Sequence, residues 1–302
     1  MSDYDRDHVR KDLARLLPMI ESYMLLPFSV DVRSIIVDAM TYSLKAGGKR
    51  IRSMLCILAA ESVGAVAEQA LSCAASLEYV HTYSLIHDDL PAMDDDDMRR
   101  GKPTCHMTFG EGQAILAGDG LLTEAFVCLA SDASLPPLSR LEAVRVLGEA
   151  AGWQGMVGGQ SLDLSGGGYS RETGRTTSID ALKSIHQLKT GAILRASMEL
   201  GAIAGNASQE QRQILRLAGE AIGLAFQIKD DILDATSTEV DMGKRVGKDL
   251  NKGKATYPIL LGLAEANNEL QMATNRAVAL LRLLPQPQSL IALTAFLAER
   301  TA

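Results

Sequence analysis

Between Leu217 and Leu233 the chain is apolar around most of a helical circumference, yet Gln227, Asp230, Asp231 and Asp234 recur at i, i+3, i+4 and i+7. That spacing draws one polar stripe down a single helix. A helix apolar on its other faces belongs at the centre of an all-α assembly, surrounded by other helices. Carboxylates on neighbouring turns lie about 5–6 Å apart, and when partly desolvated they repel one another unless a cation joins them.

The rest of the chain agrees with a helical fold. Apolar repeats at three and four predict helices over 32–45, 51–60, 67–89, 114–130, 139–148, 179–203 and 208–235, and from Tyr257 onward. No two-residue alternation flanks a hairpin turn, and aromatic residues are only 4% of the chain, so strands have little support. Pro91, Lys102-Pro103, Pro136-Pro137 and the segments 165–177 and 237–254 punctuate the helices. None demands a boundary and no fixed-period repeat is seen, so residues 1–302 are expected to form one large helical bundle.

Charge and cysteine content exclude several classes. A net charge of −7 argues against nucleic-acid binding. Cys56, Cys73, Cys105 and Cys128 show no CxxC spacing, so they are expected to be reduced, mostly buried thiols. The first twelve residues lack the apolar core of a signal peptide. Asp119 and Glu124 interrupt the richest apolar stretch, so stable membrane insertion is not expected. The expected location is the cytoplasm.

A second acidic cluster ends a long apolar helix: His87-Asp88-Asp89-Leu90-Pro91-Ala92-Met93-Asp94, followed by three further aspartates. On an unbroken helix Asp88 and Asp94 would point about 240° apart. Pro91 stops the helix, which lets Asp94 turn back from a loop. Oxygen-only ligands suit Mg²⁺, which takes one or two carboxylates together with substrate phosphate oxygens, so the implied ligand is phosphorylated. The spacing does not match a calcium loop.

Cations accompany both clusters. Lys49 and Arg52 follow Gly47-Gly48, Arg99-Arg100 follows the first acidic loop, Lys189-Thr190 lies within a predicted helix, and Lys244 and Lys254 follow the second cluster. Together they outline anion sites. His81 lies two turns before Asp88 on the same helix face, as a diphosphate partner or as a satisfied buried histidine. No P-loop is present, because Ala255 stands where its Ser or Thr would be. No serine or cysteine has a base nearby in sequence, so nucleophilic catalysis has no support.

These motifs, with Gly158-Gly159-Gln160-Ser161-Leu162-Asp163-Leu164 and Phe226-Gln227, resemble the trans-prenyltransferases, most closely the bacterial farnesyl diphosphate synthases. The likeness runs roughly from Met40 to Tyr257. It implies an all-α isoprenoid-synthase fold around a central cavity, in a homodimer. It further implies that Asp88, Asp89, Asp94, Asp230, Asp231 and Asp234 bind three Mg²⁺ ions. Arg99, Lys189, Thr190, Gln227 and Lys244 would contact the allylic diphosphate, and Lys49, Arg52, His81 and Arg100 would hold isopentenyl diphosphate. Lys254 is a weaker candidate.

Tyr83, five residues before Asp88, stands about 7.5 Å further down the helix, where its ring could floor the pocket. In the family an aromatic there, with the inserted Pro91-Ala92 pair, goes with a C15 product. C20 or C10 synthesis is the alternative. Two departures stand out: Ser53 where the family has proline, and a tail ending Ala298-Glu299-Arg300-Thr301-Ala302 without a final lysine. A terpene cyclase would not need the Lys49, Arg52 and Arg100 set. An inactive partner subunit would have lost acidic ligands, and a metal phosphohydrolase would need more histidines than His81, His87 and His106 supply.

Overall fold

Apolar residues three and four apart collapse into helices wherever they share a face, and the computed structural model is built almost wholly from them. It describes residues 3–29, 34–165, 169–170, 175–176, 178–236 and 256–300. In chain order the helices are α1 (Asp3–Leu25), α2 (Ile35–Leu44), α3 (Ile51–Ser62), α4 (Leu71–Asp88), α5 (Cys105–Phe109), α6 (Glu111–Ser131) and α7 (Pro137–Ala151). There follow α8 (Met156–Leu164), α9 (Ile179–His186), α10 (Ala192–Ala204), α11 (Gln209–Thr236), α12 (Tyr257–Leu261), α13 (Leu263–Leu281) and α14 (Gln288–Glu299). Among the described residues the only strands are two-residue pairs, Met98–Arg99 with Lys102–Pro103 and Tyr169–Ser170 with Arg175–Thr176.

The interior is built by α3, α4, α10 and α11. The most extensive packing is α4 on α6 and α11 on α13, with α10 bridging α11 and α3. Leu55, Ile57, Leu77, Tyr79, Leu194 and Leu215 are fully buried, each contributing on the order of 1.5–3 kcal/mol by burial. Cys56, Cys73 and Cys105 are buried and Cys128 half-buried, all as free thiols. A second apolar cluster gathers Ile228, Ile232, Tyr257, Ala266 and Leu270 where α11 meets α12 and α13.

Three features differ from the sequence reading. Helix α1 falls outside the predicted helices: Val9, Leu16, Ile20 and Met24 are buried at helical spacing, while Pro18 is exposed within it. Helix α8 forms across Gly158-Gly159. The segment expected as one helix over 179–203 is interrupted by a π-helical turn, Gln187–Gly191. Helix α9 does begin where expected, with the Ser178 hydroxyl accepting from the Ala181 N–H at 3.3 Å. Among the described residues α6 is the one helix long and apolar enough to cross a membrane, and its inner face lies on α4.

Candidate active site

Helix α4 stops at Asp88, and the chain after Pro91 folds back on it. The Asp94 N–H donates to the Asp88 carbonyl at 2.8 Å and the Asp96 N–H to that of Asp89 at 3.1 Å, helped by the left-handed backbone of Asp95 (φ 54°). The loop therefore returns Asp94 beside Asp88, the convergence expected from the proline. Asp89 is buried and gripped by Arg99, whose Nε lies 2.8 and 2.9 Å from the two carboxylate oxygens. Burial opposes the Arg99 charge, and the bonds to Asp89 more than offset it.

Asp88 opens onto a cavity of about 670 Å³ whose lining includes Arg52, His81, Tyr83, Gln160, Lys189 and Thr190. Met93, Met156, Val157 and Leu164 add apolar surface to the same lining. Burial pushes the Asp88 carboxyl up to about 6; Asp94 and Asp89 add to this, while Lys189 and Arg99 oppose it. A carboxylate so placed favours a nearby cation.

The π turn places Lys189 and Thr190 on this wall. One extra residue in the turn shifts the register of the helix that follows, a device common at functional sites. Lys189 Nζ pairs with Asp163 at 2.7 Å, and Gln160 Nε2 donates to Asp88 Oδ1 at 2.7 Å. Gln160 and Asp163 belong to a motif noted in the sequence but given no role there. Their i, i+3 spacing on one helix face was the available signal.

The second group of cations gathers beside this cavity. Arg50 adopts a left-handed backbone (φ 48°) as the N-cap of α3 and buries its guanidinium against Glu78 at 3.1 Å, leaving Lys49 and Arg52 on either side of it in sequence. Ser53, the departure from the family proline, donates to the Ala74 carbonyl at 2.7 Å and lies 3.1 Å from Glu78. Arg100 Nη1 donates to the Gly47 carbonyl. A Cβ on Gly48 (φ +136°) would stand 2.9 Å from the Arg100 guanidinium carbon, so glycine there admits the arginine. Burial, then repulsion of its protonated form by Arg52, Arg100, Arg99 and Arg50, holds His81 well below the usual histidine range. Burial likewise lowers Lys49, Arg52 and Arg100. Arg52, Arg100 and His81 thus lie within reach of one another's charges, whereas Lys49 has Arg300 and Asp230 as its charged neighbours.

On α11, Gln227, Asp230, Asp231 and Asp234 are half-buried while Ile228, Ile232 and Leu233 are buried, which is the stripe read from the sequence. Asp230 pairs with Arg300, whose guanidinium also lies over the Phe226 ring at 3.8 Å, and its charge reaches Lys49 and Arg52. Asp231 turns elsewhere: it accepts from the Tyr257 N–H at 2.9 Å and lies 3.8 Å from His186 Nε2. Neither Arg300 nor His186 was given a role in the sequence reading, although His186 stands three residues before Lys189 and Arg300 lies in the tail noted as a departure from the family. Lys244 and Lys254 lie outside the described residues.

The chemistry of this donor set fits Mg²⁺: hard oxygens, and one carboxyl held up near 6 by its surroundings. Among the described residues no three histidine, cysteine or acidic side chains already form a metal-holding group. A bound ion would draw the rest of its shell from water or substrate phosphate oxygens.

Known proteins resemble this chain over most of its length. Residues 33–280 match the family model described as Polyprenyl synthetase. The chain is 49% identical over 234 residues to the farnesyl diphosphate synthase of Geobacillus stearothermophilus, covering 77% of each. It is 46% identical over 246 residues to geranylgeranyl pyrophosphate synthase 11 of Arabidopsis thaliana, covering 81% of this chain and 68% of that one. Its fold superposes on the apo crystal structure of an FPP/GFPP synthase from Zymomonas mobilis with a TM-score of 0.82, at 34% identity and over the full length of both chains. The chain belongs to the polyprenyl synthetase family.

Proposed function

We propose that this chain is a short-chain trans-prenyltransferase that condenses isopentenyl diphosphate with dimethylallyl and then geranyl diphosphate to give (2E,6E)-farnesyl diphosphate. One observation carries the reading. A single cavity is lined both by charged groups, Asp88, Arg52 and Lys189, and by the apolar side chains of Met93, Met156, Val157 and Leu164 with the ring of Tyr83, the mixture that a substrate with a diphosphate head and a hydrocarbon tail requires. Residues 1–302 act in this reading as one catalytic unit.

In this reading Asp88, Asp89, Asp94, Asp230, Asp231 and Asp234 hold three Mg²⁺ ions, which supply neutralisation of the leaving diphosphate. Arg99, Lys189, Thr190, Gln227 and Lys244 orient the allylic diphosphate. Its C1–O bond breaks with the electron pair leaving on oxygen, and preorganised cations stabilise the charge as it develops. Lys49, Arg52, His81 and Arg100 hold isopentenyl diphosphate so that its double bond attacks C1. The proton then lost goes to the departed diphosphate, and no protein base is needed.

The same reading takes the active form to be a cytoplasmic homodimer. Exposed Ile115, Leu116 and Val127 on α6, with Leu138 and Leu141 on α7, give a second copy an apolar face to cover; sedimentation as a monomer at micromolar concentration would remove this part. The principal test is incubation with isopentenyl and dimethylallyl diphosphates, with and without Mg²⁺, followed by mass spectrometry of the products. Farnesyl diphosphate formed only with Mg²⁺ is expected. Free alcohol or inorganic phosphate without elongation would overturn the proposal. A C20 product is the second reading, favoured by the geranylgeranyl relatives; the aromatic at position 83 favours C15.

A further inference from the structure

Tyr83 and His87 lie one turn apart on the same face of α4, and both line the cavity. Their rings meet edge to face, with centroids 5.7 Å apart and planes at 80°, an arrangement that the ring quadrupoles favour. His87 is held from its other side by α6, its Nε2 lying 3.1 Å from the Ile115 carbonyl. The ring fits there because residue 118 has no side chain: a Cβ on Gly118 would stand 2.1 Å from Nε2 and 2.5 Å from Cδ2. Gly118 is fully enclosed between the helices.

An aromatic on a helix has two open χ1 wells. A neighbouring ring one turn away, bonded to the next helix and touching its edge, holds it in one of them. We infer that His87, seated in the notch at Gly118, is a specificity-determining residue that keeps the Tyr83 ring across the path of the growing chain. Product length is then set by three residues on two helices rather than by Tyr83 alone. This rests on the condensation activity proposed above and on Tyr83 as the floor of the pocket.

The test compares product chain lengths of the full-length enzyme and its variants from isopentenyl and dimethylallyl diphosphates. In His87→Ala the C20:C15 ratio rises roughly three- to tenfold, the factor carried by one lost aromatic pair. His87→Asn, which offers a polar group toward Ile115 but no ring, groups with the alanine variant. Gly118→Ala, which leaves both rings chemically intact but takes the seat of His87, gives the same gain. A wild-type distribution in all three variants refutes the inference, as does an asparagine variant that behaves like wild type. Failure of the wild-type protein to elongate at all would instead refute the condensation reading, so the two failures are told apart.

Discussion

Removing the Glu78 carboxylate tests how the cation field beside the cavity is held in place. Arg50 and Glu78 side chains are 1% and 2% exposed, 3.1 Å apart. Arg50 also donates to the Leu44 carbonyl at 2.6 Å, and Ser53 reaches Glu78 at 3.1 Å. In Glu78→Ala the buried guanidinium keeps only the half-exposed Glu21, 3.7 Å away, as counter-ion, a change that costs up to about 3–5 kcal/mol, and loss of the Ser53 contact adds about 1 kcal/mol. For a chain of this size the melting temperature should fall on the order of 10 °C. Taking out both charges in Arg50→Met/Glu78→Leu should recover at least about half of that loss, because an apolar pair in place of a buried ion pair is often neutral or better. The assay is calorimetric or far-ultraviolet melting of wild type, both single variants and the double variant. The single variants should also raise KM for isopentenyl diphosphate, since Arg50 lies between Lys49 and Arg52. A Glu78→Ala protein within about 0.5 kcal/mol of wild type, or a double variant no more stable than the worse single one, would refute the reasoning.

Three further outcomes are expected. Gly48→Ala should displace Arg100 and raise KM for isopentenyl diphosphate about tenfold, leaving KM for the allylic substrate within about twofold; steady-state kinetics with each substrate varied decides, and equal effects on both would count against it. The unfolded chain protonates His81 near its ordinary value of about 6.5 whereas the folded protein holds it well below. Its contribution is therefore present above about pH 6.5 and lost at about 1.4 kcal/mol per pH unit below; urea titrations at pH 7.5 and 5.5 should show a shallower pH slope in His81→Gln, and equal slopes would argue against it. Arg300→Ala should remove one competing cation from Asp230, so that Mg²⁺ raises the melting temperature of this variant more than that of wild type; an equal rise would dissociate Arg300 from the cation site.

Much of this protein was legible in the order of its residues. The stripe on α11, the stop at Pro91 and the all-α class follow from local periodicity and backbone sterics, which act over a few residues and need no partner. The grouping of Lys49, Arg52, His81 and Arg100 came only from the family resemblance. Other features were illegible because they depend on which helices meet. The pairing of Arg300 with Asp230 across 70 positions, the turn of Asp231 toward Tyr257, and the seat of His87 against Gly118 each join residues remote in the chain, and the local π turn at Gln187–Gly191 packs against α8 and α11. Helical spacing states which face a side chain occupies. What that face touches, and so whether a carboxylate faces a cation, a backbone N–H or a cavity, is decided only when the packed helices choose their neighbours.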